Sequence, residues 1–199
     1  MSYSYQPALA HVLWPGKSAS SQFLRTAILA VGGAVVLTAS SKVQIPFYPV
    51  PQTLQTMFVL LIGMAYGAKL GAATMALYLA AGAMGMPVFA GTPEKGLGLA
   101  YMLGPTGGYL LGFVIAAAAC GALAQRGWDR QLWRVAMVML VGNVIIYACG
   151  VSWLGAVIGW DKPVLQFGMM NFLLGDALKI AFAAAAVPPA ARAIRRLNS

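Results

Sequence analysis

Residues 54–83, LQTMFVLLIGMAYGAKLGAATMALYLAAGA, form an apolar stretch in which Lys69 is the one charged residue. A helix that crosses a membrane needs about 20 apolar residues, and this stretch is longer and carries a charge near its middle. Two helices, over residues 54–68 and 70–83, are therefore predicted on either side of Lys69. Because so little sequence separates them, they are expected to form a tight hairpin.

Four further apolar runs lie before and after this hairpin in the sequence, at residues 23–38, 106–123, 133–158 and 167–187. The whole chain of 199 residues is 60% hydrophobic and 9% charged, with a mean hydropathy of +0.77. A soluble domain carries about 25% charged residues, so this composition indicates an all-α membrane protein. The predicted fold is a bundle of six transmembrane helices over residues 22–199, preceded by an N-terminal tail at residues 1–21.

The distribution of basic residues predicts how the bundle is oriented. If both termini lie on one side, that side carries nine basic residues: Lys17, Arg25, Lys69, Arg126, Arg130, Arg134, Arg192, Arg195 and Arg196. The opposite loops carry three, Lys42, Lys95 and Lys162. Cytoplasmic loops are enriched in Lys and Arg, so both termini of this multi-pass protein, including the tail, are predicted to be cytoplasmic. Because the positive charges sit at the ends of apolar runs, the net charge of +9 does not indicate nucleic-acid binding.

Asp176 and Lys179 are the most informative polar residues, because they lie well inside the last apolar run. An ionisable group at that depth costs about 3 kcal/mol or more to insert, so it needs a partner or a function. A spacing of three places both side chains on one helical face. They could form a structural ion pair that holds the bundle together, or they could bind a small solute through a carboxylate acceptor and an ammonium donor.

Two weaker polar groups lie in other helices. Thr106 and Gly107 stand at the start of the fourth run, where a capping hydroxyl and a free backbone could approach a ligand. Asn143 and Tyr147 lie one turn apart in the fifth run, where contacts between helices and contacts with a ligand are equally compatible with the pattern.

Several chemistries lack the residues they need. The one histidine, His11, lies in the tail, so a membrane Ser–His protease has no base. The sequence has no Cys/His cluster for a metal and no phosphate-binding loop for ATP hydrolysis. We therefore expect a protein that is not an enzyme and needs no cofactor.

Four sequence blocks resemble the BioY family, the biotin-capturing S components of energy-coupling-factor (ECF) transporters. They are QIP at residues 44–46 followed by PVPQT at 49–53, GMPVFAG at 85–91, GPTGGY at 104–109 and GDALK at 175–179. The resemblance covers residues 23–190 and implies a six-helix membrane subunit that binds biotin from the outer side. It also implies that Asp176 and Lys179 contact the ligand, and that a transmembrane coupling subunit and ATP-binding cassette subunits are the partners.

The predicted biotin site follows these blocks and the polar candidates. It comprises Asp176, Lys179, Gln52, Phe89, Gly91, Thr106, Gly107, Tyr109, Asn143 and Tyr147. In such systems the first helix meets the coupling subunit through small residues spaced by four, which would be Ala30 and Ala34 here. The protein is also expected to contact membrane lipid, and it is not expected to bind nucleic acid.

Two positions depart from the family pattern, and a different function stays open. Leu174 stands where the family often has proline, and residues 92–98 are longer and more charged than the usual glycine-rich lid, so the geometry of the lid is open. A secondary transporter or channel for another small organic anion is the main alternative. Uptake driven by an ion gradient would distinguish it from a subunit that depends on ATPases.

Overall fold

The computed structural model describes residues 7–14 and 18–196. Its helices are α1 (Leu9–Leu13), α2 (Ala19–Lys42), α3 (Gln55–Ala83), α4 (Gly98–Met102), α5 (Gly107–Leu123), α6 (Leu132–Ile158), α7 (Val164–Gly168) and α8 (Leu173–Arg196). A π-helical turn, Ala124–Trp128, extends α5, and a 3-10 turn, Met170–Phe172, precedes α8. Two short antiparallel strands, β1 (Gln44–Ile45) and β2 (Gln52–Thr53), pair between α2 and α3.

The predicted hairpin is present within α3, but its turn lies at Gly67 and not at Lys69. Gly67 has φ +80, a left-handed value that glycine adopts without strain. A Cβ placed on Gly71 would lie 3.0 Å from the Cα of Gly63. In a straight helix those residues would be about 12 Å apart, so the chain reverses between them. Lys69 comes just after the turn.

Helix α5 packs against both arms of this hairpin through glycine. A Cβ on Gly121 would stand 2.4 Å from the backbone nitrogen of Ala68 and 2.7 Å from the carbonyl oxygen of Gly63. Gln125, just beyond α5, accepts a hydrogen bond from the backbone N–H of Ala68 at 3.1 Å. This contact satisfies a donor that the turn leaves without a helical partner.

The bundle has two chemically different ends. At one end, called the basic end below, the turn at Gly67 meets Ala8 and Gln125, and Arg195 of α8 pairs with Asp129 at 2.8 Å. At the other, called the loop end, the strands β1 and β2 meet residues 84–106 and 159–172. Contacts there include Lys42 with Thr92, Gln52 with Phe172, and Trp153 with Gly104.

The N-terminal region differs from the expected separate tail. Helix α2 begins at Ala19, after Ser18, whose side chain accepts a hydrogen bond from Ser21. Ala8, Leu9 and Ala10 are buried, and α1 contacts α3 and α8. Residues 8–14 therefore pack onto the basic end, whereas the expectations for residues 1–6, 15–17 and 197–199 lie outside the described residues.

The long helix predicted at residues 167–187 begins later, at Leu173, and ends later, at Arg196. Residues 164–172 form α7 and the 3-10 turn, with a non-helical backbone at Met169, before α8 starts at Leu173. Pro188 and Pro189 lie inside α8, which runs on to Arg196. Among the described residues, five helices are long and apolar enough to cross a membrane, with the α3 hairpin counted as one.

Candidate functional site

A cavity at the loop end, with about 560 Å³ of empty space that includes its opening to solvent, brings most of the predicted polar residues together. Strand β2, the first turn of α3, and helices α5, α6 and α8 supply its walls. Its lining residues are Val50, Pro51, Gln52, Thr53, Gln55, Thr56, Ala90, Tyr101, Thr106, Tyr109, Leu110, Phe113, Ile146, Tyr147, Phe172, Asp176 and Lys179.

Asp176 and Lys179 form a buried ion pair in the wall of this cavity. The Lys179 Nζ lies 2.9 Å from Asp176 Oδ1, and their side chains are 10% and 6% exposed respectively. The second carboxylate oxygen of Asp176 accepts a hydrogen bond from the Tyr147 hydroxyl. Lys179 also donates to Thr56 Oγ1 at 2.9 Å. Three helices thus hold the pair in one geometry, which limits how far either charge can move.

Gln52 occupies a space that α8 leaves open because residue 175 is glycine. A Cβ on Gly175 would fall 2.0 Å from Gln52 Nε2. That nitrogen donates to the carbonyl of Phe172 at 3.0 Å. Glycine at position 175 therefore admits Gln52 against α8, beside Asp176, which lines the cavity.

Two tyrosines and a threonine line the wall formed by α4 and α5. Tyr109 donates its hydroxyl to the carbonyl of Gly168 at 2.8 Å, and Tyr101 donates to the carbonyl of Ala90 at 2.8 Å. Burial raises the pKa of Tyr101, so its hydroxyl is neutral near pH 7. Thr106 also lines the cavity, immediately before α5.

Four predicted site residues do not line the cavity. Phe89 is buried, stacks on Tyr101 with ring centroids 4.9 Å apart, and fills the space left by Gly82. Gly91 has φ +71 and lies under the Lys95 side chain. Gly107 packs against Met102 and Trp153, and Asn143 is buried one turn from Tyr147.

The segment containing Phe89 and Gly91 instead acts as a fixed wall, in which Ala90 faces the cavity. Lys42 donates to the carbonyls of Phe89 and Thr92 at 2.9 and 3.0 Å. Ser41 and Tyr78 both donate to the carbonyl of Val88, at 2.8 and 2.9 Å. These bonds satisfy loop carbonyls that have no helical partner, and they join the end of α2 to the wall of the cavity.

Several cavity residues were absent from the sequence prediction, and Thr56 is the most informative of them. It contacts Lys179 across 123 positions of sequence. One signal could have indicated it: Gln52, Gln55 and Thr56 are polar residues crowded where the first arm of the hairpin begins. The apolar lining residues Leu110, Phe113 and Ile146 carry no such signal, because they look like ordinary residues of a helix core.

Three small residues of α2, at positions 30, 33 and 34, face the rest of the chain, whereas Gly32 is exposed. Ala30 is buried, Ala34 packs partly against the core, and a Cβ on Gly33 would meet Thr74 at 2.6 Å. The outward face of α2 instead carries large apolar side chains that are 47–77% exposed, namely Phe23, Leu24, Ile28, Val31 and Val35. Packing within this chain therefore buries Ala30 and covers part of Ala34, and the expected contact of these two residues with a coupling subunit stays a prediction.

The two departures from the family pattern lie at the edge of the site. Leu174 is 77% exposed and points away from the cavity. Within residues 92–98, Glu94 and Lys95 are exposed, while Thr92 is buried and bonded to Phe89 and Lys42. Neither Leu174 nor this segment contributes a lining residue.

The cavity combines apolar walls with one fixed carboxylate and one fixed ammonium. Such a site can accept N–H donors on Asp176 and an anionic or carbonyl oxygen on Lys179. Within residues 7–14 and 18–196, no three His, Cys, Asp or Glu side chains cluster as metal ligands.

Comparison with known proteins identifies the family of this chain. Residues 14–196 match the model of the BioY family. The chain is 39% identical over 150 residues to a probable biotin transporter BioY of Pyrococcus horikoshii, which covers 75% of this chain and 86% of that one. It is 38% identical over 149 residues to the biotin transporter BioY of Thermotoga maritima. That alignment covers 75% of this chain and 85% of the other one.

A solved structure shares the fold. The crystal structure of the S-component for biotin from an ECF-type ABC transporter superposes with a TM-score of 0.70 at 25% identity, over 90% of this chain and 94% of that one. With the family match spanning nearly all of the described residues, this chain belongs to the BioY family.

Proposed function

We propose that this protein captures biotin and takes it up across the membrane as the substrate-binding S component of an ECF-type transporter, without catalysing a reaction. The observation that carries the proposal is the Asp176–Lys179 pair, fixed by Tyr147 and Thr56 in the wall of the cavity of a BioY-family chain. Two relatives whose names identify them as biotin transporters and a biotin S-component with the same fold support it.

Biotin has the chemistry that this cavity would recognise. Its ureido N–H groups are donors that suit the Asp176 carboxylate, and its carboxylate suits an ammonium such as that of Lys179. The apolar rings and chain between them suit walls formed by Leu110, Phe113 and Ile146. The bound molecule is the transported substrate, and the proposed mechanism needs no cofactor.

The binding experiment is titration calorimetry of the protein purified in mild detergent. Biotin is expected to bind far more tightly than a straight-chain alkanoic acid of similar length, because only biotin offers ureido donors to Asp176. Comparable affinities for the two ligands would contradict recognition of the ureido ring and would favour a carrier for small organic anions.

We propose that the chain crosses the membrane six times, with both termini cytoplasmic in a bacterial inner membrane. Each arm of the α3 hairpin counts as one crossing, since the chain reverses at Gly67. The basic end carries Lys69 and the arginines of residues 126–134 and 192–196, whereas the loop end carries Lys42, Lys95 and Lys162. The excess of positive charge favours a cytoplasmic basic end.

Cysteine labelling tests this topology. In a variant lacking Cys120 and Cys149, the substitutions Lys95→Cys and Lys162→Cys should react with an impermeant maleimide from outside intact cells. Arg130→Cys should react only after the cells are permeabilised. The reverse pattern would overturn the orientation, and labelling of all three positions from one side would overturn the crossing number.

We propose that a transmembrane coupling subunit, which joins the ATP-binding cassette subunits, contacts the outward face of α2. Phe23, Leu24, Ile28, Val31 and Val35 offer an apolar strip for that contact, and lipid covers the same strip when the subunit is absent. The Lys42 contacts would join this helix to the cavity wall at Ala90.

A further inference from the structure

A smaller cavity adjoins the one that contains Asp176 and Lys179, on the side of α4 and the start of α5. It has about 340 Å³ of empty space, including its opening to solvent, and is called the vestibule below. Its lining residues are Pro49, Pro51, Lys95, Ala100, Tyr101, Gly104, Pro105 and Thr106. Pro51, Tyr101 and Thr106 line the larger cavity as well, so the two spaces meet at these residues.

Lys95 brings a positive charge to the vestibule from a well-supported backbone. Its side chain lies over Gly91, where a Cβ would stand 2.8 Å from Lys95 Cδ, and its backbone N–H donates to the carbonyl of Gly91 at 2.9 Å. Lys42 donates to the carbonyl of Thr92, and the Thr92 hydroxyl donates to the carbonyl of Phe89. These bonds hold the backbone from which Lys95 projects.

Among the described residues of the loop end, Lys95 is the one lysine whose ammonium has no hydrogen bond or ion pair. Lys42 donates to loop carbonyls. Lys162 and Lys179 are both in ion pairs, at 3.0 and 2.9 Å. Glu94 is exposed beside Lys95 in the sequence but does not line the vestibule. The ammonium of Lys95 is therefore available to an anion that enters from this end.

An anionic ligand needs a positive charge that the larger cavity does not supply. Asp176 and Lys179 neutralise each other, so a bound carboxylate would leave that cavity with a net negative charge. Lys179 could pair with the ligand only by leaving Asp176, which would strand a buried charge. A carboxylate is accommodated better where a free ammonium meets it.

The arrangement of the helices directs the ligand toward that ammonium. Helices α5 and α8 both pack against α3 and α6, so they lie on opposite sides of the cavity. The carboxylate of biotin lies at the end of a pentanoate chain, away from the ureido ring. A biotin molecule with its ureido ring on Asp176 of α8 that extends across the cavity therefore points its carboxylate at the start of α5, beside the vestibule.

We propose that Lys95 binds the carboxylate of the ligand in the vestibule, while Asp176 binds the ureido end. The inference rests on the proposed function, because it takes biotin as the ligand, and it gives Lys95 the carboxylate contact that Lys179 would otherwise make. Lys95 belongs to residues 92–98, which depart from the family pattern, so the family resemblance does not supply this contact.

The test compares biotin with biotin amide, which keeps the ureido ring and the chain but carries no negative charge. Both are titrated calorimetrically into the protein purified in detergent. Lys95→Gln should bind biotin about five-fold more weakly than the parent protein, the effect of one exposed ion pair. Its affinity for biotin amide should not change. Lys95→Arg keeps the charge and should restore the preference for biotin over the amide.

Two further variants serve as controls. Lys162→Gln removes a lysine charge from the same end of the bundle and should bind both ligands like the parent protein. Asp176→Asn should weaken both ligands alike, because both carry the ureido ring. The loss caused by Lys95→Gln should also shrink at high salt, since salt screens exposed charges.

Unchanged biotin binding by Lys95→Gln would overturn the proposal. So would equal losses for biotin and its amide, which would mean that Lys95 only supports the loop. A loss in Lys162→Gln as large as that in Lys95→Gln would replace a specific contact with the general field of the loop end. If the parent protein binds biotin and these ratios stay constant, this inference alone fails, whereas a parent protein that does not bind biotin defeats the proposed function as well.

Discussion

Removal of both charges with the double variant Asp176→Asn/Lys179→Gln should leave a folded protein that retains biotin poorly. Each lost charge-assisted hydrogen bond is worth about 1.5–3 kcal/mol, which corresponds to about ten- to a hundred-fold in affinity. Asp176→Asn alone should weaken binding to a similar extent. Thermal stability in detergent and biotin titration, measured on each variant, separate folding from binding.

A structural ion pair would give a different pattern. Either single neutralisation would then strand one buried charge and destabilise the protein by about 3–5 kcal/mol, and the double variant would recover both stability and biotin binding. Asp161 and Lys162 provide a matched control, since they form an exposed ion pair at 3.0 Å. Asp161→Asn/Lys162→Gln should change neither property. A stable Asp176/Lys179 double variant that binds biotin like the parent protein would defeat the site assignment.

The substitution Gly121→Ala should destabilise the bundle by about 1–3 kcal/mol or more, because overpacking a tight contact forces the backbone to move. The added Cβ would stand 2.4 Å from backbone atoms of Gly67 and Ala68. Neither neighbour can relieve the contact by turning a side chain, so α5 must separate from the hairpin. The change is measured as a lower melting temperature of the purified protein in detergent.

Gly32→Ala is the matched control, since a Cβ there has no atom within 4 Å among the described residues. Alanine is the better helix former by about 1 kcal/mol, so this variant should melt at or above the temperature of the parent protein. If Gly121→Ala melted as high as Gly32→Ala, the close approach of α5 to the turn at Gly67 would be incorrect.

The amino-acid sequence alone was enough to predict the long apolar helices, the hairpin between residues 54 and 83, and the placement of Asp176 and Lys179 on one face of the last helix. These features depend on local properties: the length of an apolar run, its punctuation by a charge, and the cost of placing an ionisable group within it. The turn was misplaced at Lys69 because charge marks where a helix can reach water, whereas the reversal needs a left-handed backbone, which Gly67 provides.

Only the tertiary structure decided which residues far apart in the sequence come into contact. Thr56 and Tyr147 become partners of the ion pair because the first arm of α3, α6 and α8 converge there. Phe89, Gly91, Gly107 and Asn143 are not among the residues that line the cavity, and Ala30 is buried against the bundle. Sequence spacing determines which side chains share a face of one helix. Which face turns toward the cavity depends on how neighbouring helices pack. That packing is set by glycine contacts such as those of Gly63, Gly121 and Gly175.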